Sequence, residues 1–231
     1  MLMRIDRWNQ DEAARHAYGS HQFKLRILDV VVAGLSFVVL SPLLALIALA
    51  IAIESGLPIL FSQTRLGLNG RPFQLYKFRK FYRDVGTDGS PLTSAGDPRM
   101  TPLGRFLART KFDELPQFWN VLKGDMSMVG PRPESLAFAD CFAGGYERVL
   151  DFKPGIFGPS QVAGRHECTR YPVNSDPARF YRDVLFREKA ETDLAYFPGR
   201  TLMSDFVWLL RGVLAVIGLN VAAAQAHTEC L

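Results

Sequence analysis

Residues 27–53 form an almost uncharged apolar run, which constrains the fold of this chain more than any other feature of its sequence. The run reads ILDVVVAGLSFVVLSPLLALIALAIAI, and Asp29 is its only charged residue. Because a helix of about 20 apolar residues can cross a bilayer, we expect the run to enter a membrane. A secretory signal peptide fits less well, since the apolar region of such a peptide has only about 7–15 residues.

A break is predicted in the middle of this run, at Ser41-Pro42. Proline removes one helix hydrogen bond and clashes with the carbonyl four residues earlier. The Ser41 hydroxyl is placed to satisfy a backbone group that the break frees. Each half then has roughly 14 residues and a length of about 20 Å, which is shorter than the ~30 Å hydrocarbon core.

Both flanks of the run are basic. Residues 1–26 contain five arginines and lysines, and residues 63–83 contain six with no acid among them. The positive-inside rule therefore places both flanks on the cytoplasmic side, which a single crossing cannot do. This favours a re-entrant helix over about residues 24–54. A single-pass anchor with a proline kink remains the alternative, since transmembrane helices tolerate such kinks.

Local signals predict several elements in the rest of the chain. Asn69-Gly70 predicts a β-hairpin with its loop within 67–71, because this dipeptide favours the positive φ angles of a tight turn. Thr101-Pro102 is typical of a helix start. A second helix is expected over about 114–123, with Gly124 as its stop. Residues 154–165 are expected to be irregular chain or a short strand.

Two helices are predicted near the C-terminus. Residues 177–197 have the pattern of an amphipathic helix, and residues 202–219 form an apolar segment interrupted by Asp205 and Arg211. The apolar segment could be a second anchor, a core helix or a helix in the membrane interface. An arginine near the centre of a spanning helix costs at least about 2.5 kcal/mol, which favours the core or the interface.

The composition restricts the class of protein. With 22% charged and 48% hydrophobic residues, the chain is neither a disordered tail nor a polytopic membrane protein. Its net charge of +4 favours phosphate-rich partners such as nucleic acid, anionic lipid or a nucleotide. The three cysteines form no CxxC pair, which suits a reducing compartment and argues against a zinc site.

Asp113 and Glu114 are adjacent acids with Pro116 close behind. One interpretation is structural, because acids in the first turn of a helix cap its amides and complement its dipole. The other is an acidic pair that works on phosphate, since a carboxylate can attack phosphorus and form an acyl phosphate. Such a site needs a divalent cation and basic side chains to hold the phosphate oxygens.

Basic residues that could serve such a site surround the acidic pair. They are Lys77, Arg79, Arg99, Arg105, Arg109, Lys111 and Arg132. Rival chemistries lack their motifs, because the sequence contains no GxxxxGK[ST] loop, no GxSxG elbow, no HExxH and no DxD pair.

Four stretches resemble the bacterial sugar transferases, which are monotopic phosphoglycosyl transferases acting on undecaprenyl phosphate. These stretches are QTRLGLNGRPFQLYKFRK, DPRMTPLGRFL, DELPQFWNVLKGDMSMVGPRP and KPGIFGPSQVAGR, and the likeness covers about residues 24–210. The resemblance implies that Asp113 is the nucleophile, which attacks the β-phosphate of a UDP-sugar and releases UMP. Glu114 would be its partner, which either helps Asp113 to hold Mg²⁺ or assists the incoming polyprenyl phosphate as a base, with Mn²⁺ as a possible substitute for Mg²⁺.

The resemblance also implies further roles. Lys77, Arg79 and Arg132 match phosphate-binding segments of the family, and Lys24, Arg26 and Asp29 match the polar start of its membrane helix. An arginine common in the family is replaced here by Ala108, and Arg109 could take its place. Such departures prevent any inference about which sugar is used. The chain resembles a minimal version of longer relatives that carry extra transmembrane helices.

The resulting prediction is a mainly α fold with a small β-hairpin. Residues 1–58 would carry the re-entrant helix, and residues 59–231 would form a compact cytosolic catalytic domain with interfacial amphipathic helices. The enzyme would lie at the cytoplasmic face of the bacterial inner membrane and start exopolysaccharide, O-antigen, capsule or glycoprotein glycan assembly.

The predicted partners are a UDP-sugar donor, a polyprenyl phosphate acceptor and the lipid bilayer, with no nucleic acid. An exposed apolar C-terminal helix could support a homodimer. The alternative function is a membrane-anchored basic protein that binds anionic partners or acts as a scaffold in a polysaccharide export complex.

Overall fold

The computed structural model of the protein describes residues 22–83, 92–93, 97–165, 167, 170–172 and 176–216. The first 21 residues, with part of the basic N-terminal flank, lie outside this set, as do residues 217–219 of the predicted apolar helix.

Two apolar helices open the described chain. Helix α1 (Gln22–Val39) and helix α2 (Ser41–Ser55) meet at a bend of 60°. The Ser41 hydroxyl donates a hydrogen bond of 2.7 Å to the Val38 carbonyl. The break predicted at Ser41-Pro42 is therefore confirmed, together with the role of the serine. Within the described residues no single helix is long and apolar enough to cross a membrane, whereas this bent pair is, by length and composition.

The polar residues at the start of α1 attach the helix to the rest of the protein. The Arg26 guanidinium donates to the carbonyls of Val121 at 2.5 Å and Leu122 at 2.7 Å. The Asp29 carboxylate accepts from the Ser127 hydroxyl at 2.9 Å and from a neighbouring backbone amide. The only charge in the apolar run is therefore paired inside the protein, where an unpaired charge would be costly.

The hairpin predicted around Asn69-Gly70 is present. Strands β1 (Leu60–Leu66) and β2 (Pro72–Phe78) pair antiparallel, with Leu60 opposite Phe78 and Leu66 opposite Pro72. Asn69 and Gly70 have φ angles of 55° and 71°, the positive values that the turn requires. The loop occupies residues 67–71, as predicted.

Helix α3 (Pro102–Thr110) begins where the sequence predicts, and the Thr101 side chain accepts a hydrogen bond from the Gly104 amide. Helix α4 (Gln117–Lys123) ends at Gly124, whose φ angle of 93° confirms the predicted stop. The predicted start of this helix at residue 114 is wrong. Lys111, left-handed with φ of 64°, ends α3, and residues Phe112–Glu114 form a separate 3₁₀ turn. Helix α4 begins only after Pro116, which has no backbone N–H to continue the hydrogen bonds of that turn.

A parallel strand pair lies between α4 and the C-terminal helices. Strand β3 (Ser127–Val129) pairs with β4 (Gly155–Phe157), and helix α5 (Pro159–Ala163) follows. The backbones come very close, since a side chain at Gly130 would meet the Lys153 carbonyl oxygen at 2.2 Å. Two segments of 3₁₀ helix, Leu136–Cys141 and Tyr146–Asp151, connect the strands.

The amphipathic helix predicted over 177–197 is present in three consecutive parts. They are helix α6 (Pro177–Phe180), a π-helical turn (Tyr181–Leu185) and helix α7 (Phe186–Tyr196). Helix α8 (Leu202–Val216) follows after a 3₁₀ turn. Both charges of the predicted apolar segment have partners: Asp205 pairs with Arg200, and the Arg211 guanidinium lies over the Trp208 ring.

Three clusters of buried apolar side chains hold these elements together. One joins α1, β2 and α4 around Phe118 and Val121, and another joins α2, β2 and α3 around Ile51 and Leu107. The third surrounds Tyr181 on the π-helical turn. The described chain is thus mainly helical with two small sheets, of which the sequence predicted the hairpin clearly and the parallel pair only as a short strand.

Candidate active site

The two adjacent acids lie in the 3₁₀ turn Phe112–Glu114, between α3 and α4. Helix α4 has Pro116 at its N-cap, with no side chain bonded to its first amides. Glu114 instead binds a lysine on β2, and Asp113 lies near Lys80. The capping interpretation therefore finds no support in the structure.

Asp113 is buried, with only 2% of its surface exposed. Its Oδ2 lies 3.9 Å from the Lys80 ammonium, and its Oδ1 has no hydrogen-bond partner. Burial raises the pKa of this carboxyl above its ordinary value, although the lysines nearby oppose the shift. A buried carboxylate oxygen without a hydrogen-bond partner destabilises the folded protein unless a ligand or cation binds it. The Oδ1 atom of Asp113 is therefore a candidate contact for a ligand or cation.

Glu114 has the opposite electrostatic environment. Its Oε1 accepts a hydrogen bond of 2.7 Å from the Lys77 ammonium. Burial alone would raise the pKa of Glu114, but the charges of Lys77 and Lys111 outweigh it and hold that pKa well below its usual range. The pKa of Asp113 is thus raised while the pKa of its neighbour Glu114 is lowered. Such a difference is typical of acid pairs whose two members have different chemical roles.

Arg132 belongs to the Pro131–Pro133 loop that follows β3. Its Nε lies 3.7 Å from the Glu134 carboxylate and has no hydrogen-bond partner. Burial would lower the pKa of Arg132, but the carboxylates of Glu167 and Glu134 outweigh it and raise that pKa. The arginine therefore stays charged in the site.

A buried polar chain supports this loop from behind. The Tyr181 hydroxyl donates to Glu134 at 2.6 Å and accepts from the Lys189 ammonium at 3.3 Å. Lys189 is also paired with Glu167. The π-helical turn carries Tyr181, and such turns are frequent at functional sites.

Two cavities meet at these residues. The larger has a volume of about 340 Å³ and lies between the α1–α2 bend, the acidic turn and α8. The smaller has a volume of about 20 Å³ and is bounded by the hairpin and the Pro131–Pro133 loop. Four residues line both cavities: Glu114, Arg132, Ile156 and Gln161.

The two cavities differ in their linings. The larger one is bounded mostly by apolar side chains from the bent helices, α4, β4 and α8. Its charged lining residues come from the acidic turn, the Pro131–Pro133 loop, the segment after α5 and α7: Lys111, Glu114, Arg132, Arg165, Glu167 and Lys189. Its apolar wall includes Leu40, Leu43, Phe118, Phe157, Leu209 and Val213. The smaller cavity is lined by charged and amide side chains, among them Arg65, Lys77 and Gln117.

Two residues predicted to bind phosphate lie elsewhere. The Arg79 guanidinium donates to the carbonyls of Ser55 at 2.8 Å and Gly56 at 2.7 Å, where its charge complements the C-terminal end of α2. Arg109 is exposed in the last turn of α3, and Ala108 precedes it. Neither arginine lines either cavity, whereas Lys77 lines the smaller one and Arg132 lines both. Asp113 also lines neither cavity and is buried, while its neighbour Glu114 lines both.

Arg65 is the site residue that sequence reasoning missed, since it counted only as a basic flank charge. A signal was present in the hairpin. Cross-strand partners share a face of the sheet, so the pairs Arg65–Phe73, Gln63–Leu75 and Phe61–Lys77 place Arg65 and Lys77 on the same face.

The carboxylates of Asp113 and Glu114 are candidate ligands of a cation. No group of three or more His, Cys, Asp or Glu side chains that could hold a metal occurs among the described residues. Mg²⁺ in phosphate-processing sites commonly uses only one or two carboxylates together with substrate phosphates. The free Oδ1 of Asp113 next to Glu114 fits that donor set.

Comparison with known proteins identifies a family and several individual relatives. The sequence profile of the family described as "Bacterial sugar transferase" matches residues 20–218. A UDP-glucose:undecaprenyl-phosphate glucose-1-phosphate transferase from Caulobacter vibrioides is 40% identical over 192 residues, which cover 81% of this chain and 67% of the relative.

Two further relatives carry related names. A UDP-N-acetylgalactosamine-undecaprenyl-phosphate N-acetylgalactosaminephosphotransferase from Aeromonas hydrophila is 34% identical, over 80% of this chain and 45% of the relative. A UDP-glucose:undecaprenyl-phosphate glucose-1-phosphate transferase from Escherichia coli K12 is 42% identical, over 63% of this chain and 32% of the relative. The matches thus span less than half the length of these two proteins, and the printed names differ in the sugar.

Proposed function

Because this chain belongs to the bacterial sugar transferase family, we propose that it transfers a sugar phosphate from a UDP-sugar to undecaprenyl phosphate. The observation that carries the proposal is the position of Glu114 and Arg132 on both a polar and an apolar cavity. A water-soluble donor needs a polar cavity and a lipid acceptor needs an apolar one, and both substrates must reach the same acidic turn.

In the first step, an Asp113 carboxylate oxygen attacks the phosphorus that carries the sugar. A phosphorus–oxygen bond to the second phosphate breaks, and UMP leaves with the electron pair of that bond. This splits one difficult transfer into two easier ones. The burial of Asp113 supports this role, because it keeps water away from the reactive carboxylate and leaves Oδ1 unpaired.

In the second step, an oxygen of the lipid phosphate attacks the same phosphorus. The bond to Asp113 breaks, which returns the carboxylate and yields a polyprenyl diphosphosugar. Arg132 lines both cavities and can neutralise phosphate charge in either step. Mg²⁺ or Mn²⁺ held by Asp113 and Glu114 would supply further neutralisation of phosphate charge when bound.

The apolar helices support membrane attachment. Several side chains on α1 and α2 are strongly exposed, including Val39 at 72% and Ile53 at 78%. Such surfaces are unfavourable in water and natural in lipid. We place the bent pair as a re-entrant segment at the cytoplasmic face of the inner membrane, so that the larger cavity opens near the lipid. The product would then start assembly of a surface polysaccharide or glycan.

The topology can be tested by labelling engineered cysteines at residues 20 and 66 from the periplasmic side. We expect neither site to be labelled in intact cells, while both react after permeabilisation. Labelling of one site alone would show a single crossing and refute the re-entrant arrangement.

The reaction can be tested by trapping the covalent intermediate. Purified protein with Mg²⁺ would be incubated with UDP-glucose or UDP-N-acetylgalactosamine in the absence of lipid acceptor, and intact-mass spectrometry would detect an added sugar phosphate. We expect the adduct and released UMP with the wild type and with Asp125→Asn as control, but not with Asp113→Asn. An active Asp113→Asn protein would refute the nucleophile, and it is the outcome that the binding or scaffold alternative predicts.

A further inference from the structure

Two arginines of the smaller cavity have unsatisfied donors. The Nε atoms of Arg65 and Arg132 are both buried without a hydrogen-bond partner, and both residues line this cavity. Buried donors are nearly always paired, so two unpaired donors beside one cavity mark a position for an acceptor oxygen, and a volume of about 20 Å³ has room for one such oxygen.

The charges around the cavity point to the same conclusion. Its charged lining residues are Arg65, Lys77 and Arg132 on the positive side and Glu114 on the negative side. Glu114 is already engaged by Lys77 at 2.7 Å. Burial and then the charge of Arg132 lower the pKa of Arg65, and the opposing charge of the Glu134 carboxylate does not fully offset them.

Arg65 is held in a fixed orientation. Its Nη2 donates to the Gln63 side-chain oxygen at 2.7 Å, and its Nη1 lies 3.3 Å from the Pro133 carbonyl oxygen. The remaining Nε is left for another acceptor. A guanidinium fixed in advance loses little side-chain freedom when it binds phosphate.

We propose that Arg65 binds the donor phosphate that remains with the nucleotide, and that with Arg132 it forms the subsite for the departing UMP. This inference rests on the proposed function. Asp113, which must reach the sugar-bearing phosphorus, lines neither cavity, whereas its neighbour Glu114 lines both. We therefore assign the sugar-bearing phosphate to the acidic turn itself and the adjacent phosphate to the smaller cavity, where Arg65 and Arg132 meet.

The polar lining selects the donor rather than the lipid as the source of the phosphate. The acceptor carries a long apolar chain, whose fitting walls belong to the larger cavity. When the bond between the two phosphates breaks, negative charge develops on the nucleotide-side phosphate. Arg65 would stabilise that charge through hydrogen bonds to its oxygens.

The test compares Arg65→Gln with Arg71→Gln. Arg71 is an exposed arginine of the same hairpin that lines neither cavity, so its variant is a matched control. Calorimetry in detergent, without lipid acceptor, would measure UMP binding. We expect at least about tenfold weaker binding for Arg65→Gln and wild-type binding for Arg71→Gln, since a charge-assisted hydrogen bond is lost.

Kinetics distinguish the two sources of phosphate. We expect Arg65→Gln to raise the KM for the UDP-sugar and leave the KM for the lipid phosphate unchanged. Unchanged UMP binding, or a rise in the acceptor KM alone, would overturn the subsite. If Arg65→Gln fails to fold, Arg65→Met removes the charge and the N–H donors while it keeps most of the side-chain length, and unchanged UMP binding in that folded variant would also overturn the subsite.

The failure of this inference is separable from the failure of the proposed function. A wild type that binds UMP through Arg65 but turns over neither UDP-sugar would leave the subsite standing and refute the transfer of these sugars. A wild type that turns over UDP-sugar while Arg65→Gln behaves normally would refute the subsite alone.

Discussion

The two cavities of this protein share four lining residues and differ in size and in the balance of polar and apolar side chains. The smaller cavity is bounded mainly by arginines, a lysine and amides from the hairpin, the Pro131–Pro133 loop and helices α4 and α5. The larger is bounded mostly by apolar side chains from the bent helices and α8, with charged groups from the acidic turn, the Pro131–Pro133 loop, the segment after α5 and α7. The difference teaches that one acidic turn can have a polar cavity on one side and a mostly apolar cavity on the other, so that substrates of different polarity can be bound separately.

The largest effect is expected from changing Arg132, which lines both cavities. Arg132→Gln removes a cation that lines both cavities, so we expect the KM for donor and acceptor to rise together and kcat/KM to fall about 100-fold or more. Steady-state kinetics with each substrate varied in turn would measure this. Arg99→Gln is the control, since it removes an arginine that lines neither cavity. An effect confined to one substrate would contradict this role of Arg132 in both cavities.

A change at Gly212 should affect the apolar side alone. A side chain at this position of α8 would meet the Phe157 ring at 2.1 Å, so Gly212→Ala must push the helix away from β4. We expect a loss of about 1–3 kcal/mol of stability and a higher KM for the lipid acceptor, with the donor KM unchanged. Thermal unfolding and kinetics would test this, with Gly199→Ala as control because it meets nothing within 4 Å. A higher KM for the donor would show that the effect of Gly212→Ala is not confined to the larger cavity.

A pH dependence of stability should arise beside the larger cavity. Burial raises the pKa of Asp193 to about 7, while hydrogen bonds from Ser160, which lines this cavity, oppose the shift. The folded state therefore holds a proton that the unfolded state loses above its ordinary pKa of 3.8. The free energy of unfolding should thus fall as pH rises from about 4 to about 7, by up to about 1.4 kcal/mol per pH unit.

The measurement is the unfolding temperature between pH 5 and 8 for the wild type and Asp193→Asn. An asparagine keeps a donor and an acceptor for Ser160 and carries no charge at any pH. We expect the variant to lose most of the downward slope of the wild type. Equal slopes in the two proteins would assign the pH dependence to other groups.

The smallest expected effect concerns the support of Arg132. Tyr181→Phe removes the 2.6 Å hydrogen bond to Glu134 and leaves that buried carboxylate with fewer partners. We expect a loss of about 1 kcal/mol of stability and a modest fall in kcat/KM for both substrates. Tyr146→Phe removes a comparable bond to Glu191 at the surface and serves as control.

A double-mutant cycle separates positioning from general damage. If Tyr181 acts through Arg132, the fall in kcat/KM caused by Tyr181→Phe should disappear in an Arg132→Gln background. Additive losses would show that the tyrosine only stabilises the fold.

Much of the local structure followed from the sequence because it depends on residues with restricted backbones. Pro42 predicted the helix break, Asn69-Gly70 the hairpin turn and Gly124 the end of α4, and each is confirmed. The start of α4 was wrong because acids followed by Pro116 are typical of a first helical turn, whereas here the acids form a 3₁₀ turn before the helix.

Distant pairings were beyond such reasoning. Arg79 follows Lys77 by two residues, yet it lies at the end of α2 while Lys77 pairs with Glu114. Nothing in the spacing distinguishes these two cations, since their partners are set by how the hairpin packs against the helices. Arg65 was overlooked for the same reason, since the carbonyl it approaches is 68 residues away.

The sequence by itself thus determined the family, the apolar run with its break, and the identity of the acidic pair, because these depend on composition, local backbone restrictions and continuous motifs. Only the tertiary structure decided the environments of the two acids. It buried Asp113 with a free oxygen, paired Glu114 with Lys77, and brought Arg65 to Arg132. Burial and charge at a site arise from segments that are distant in the chain, and packing alone brings them together.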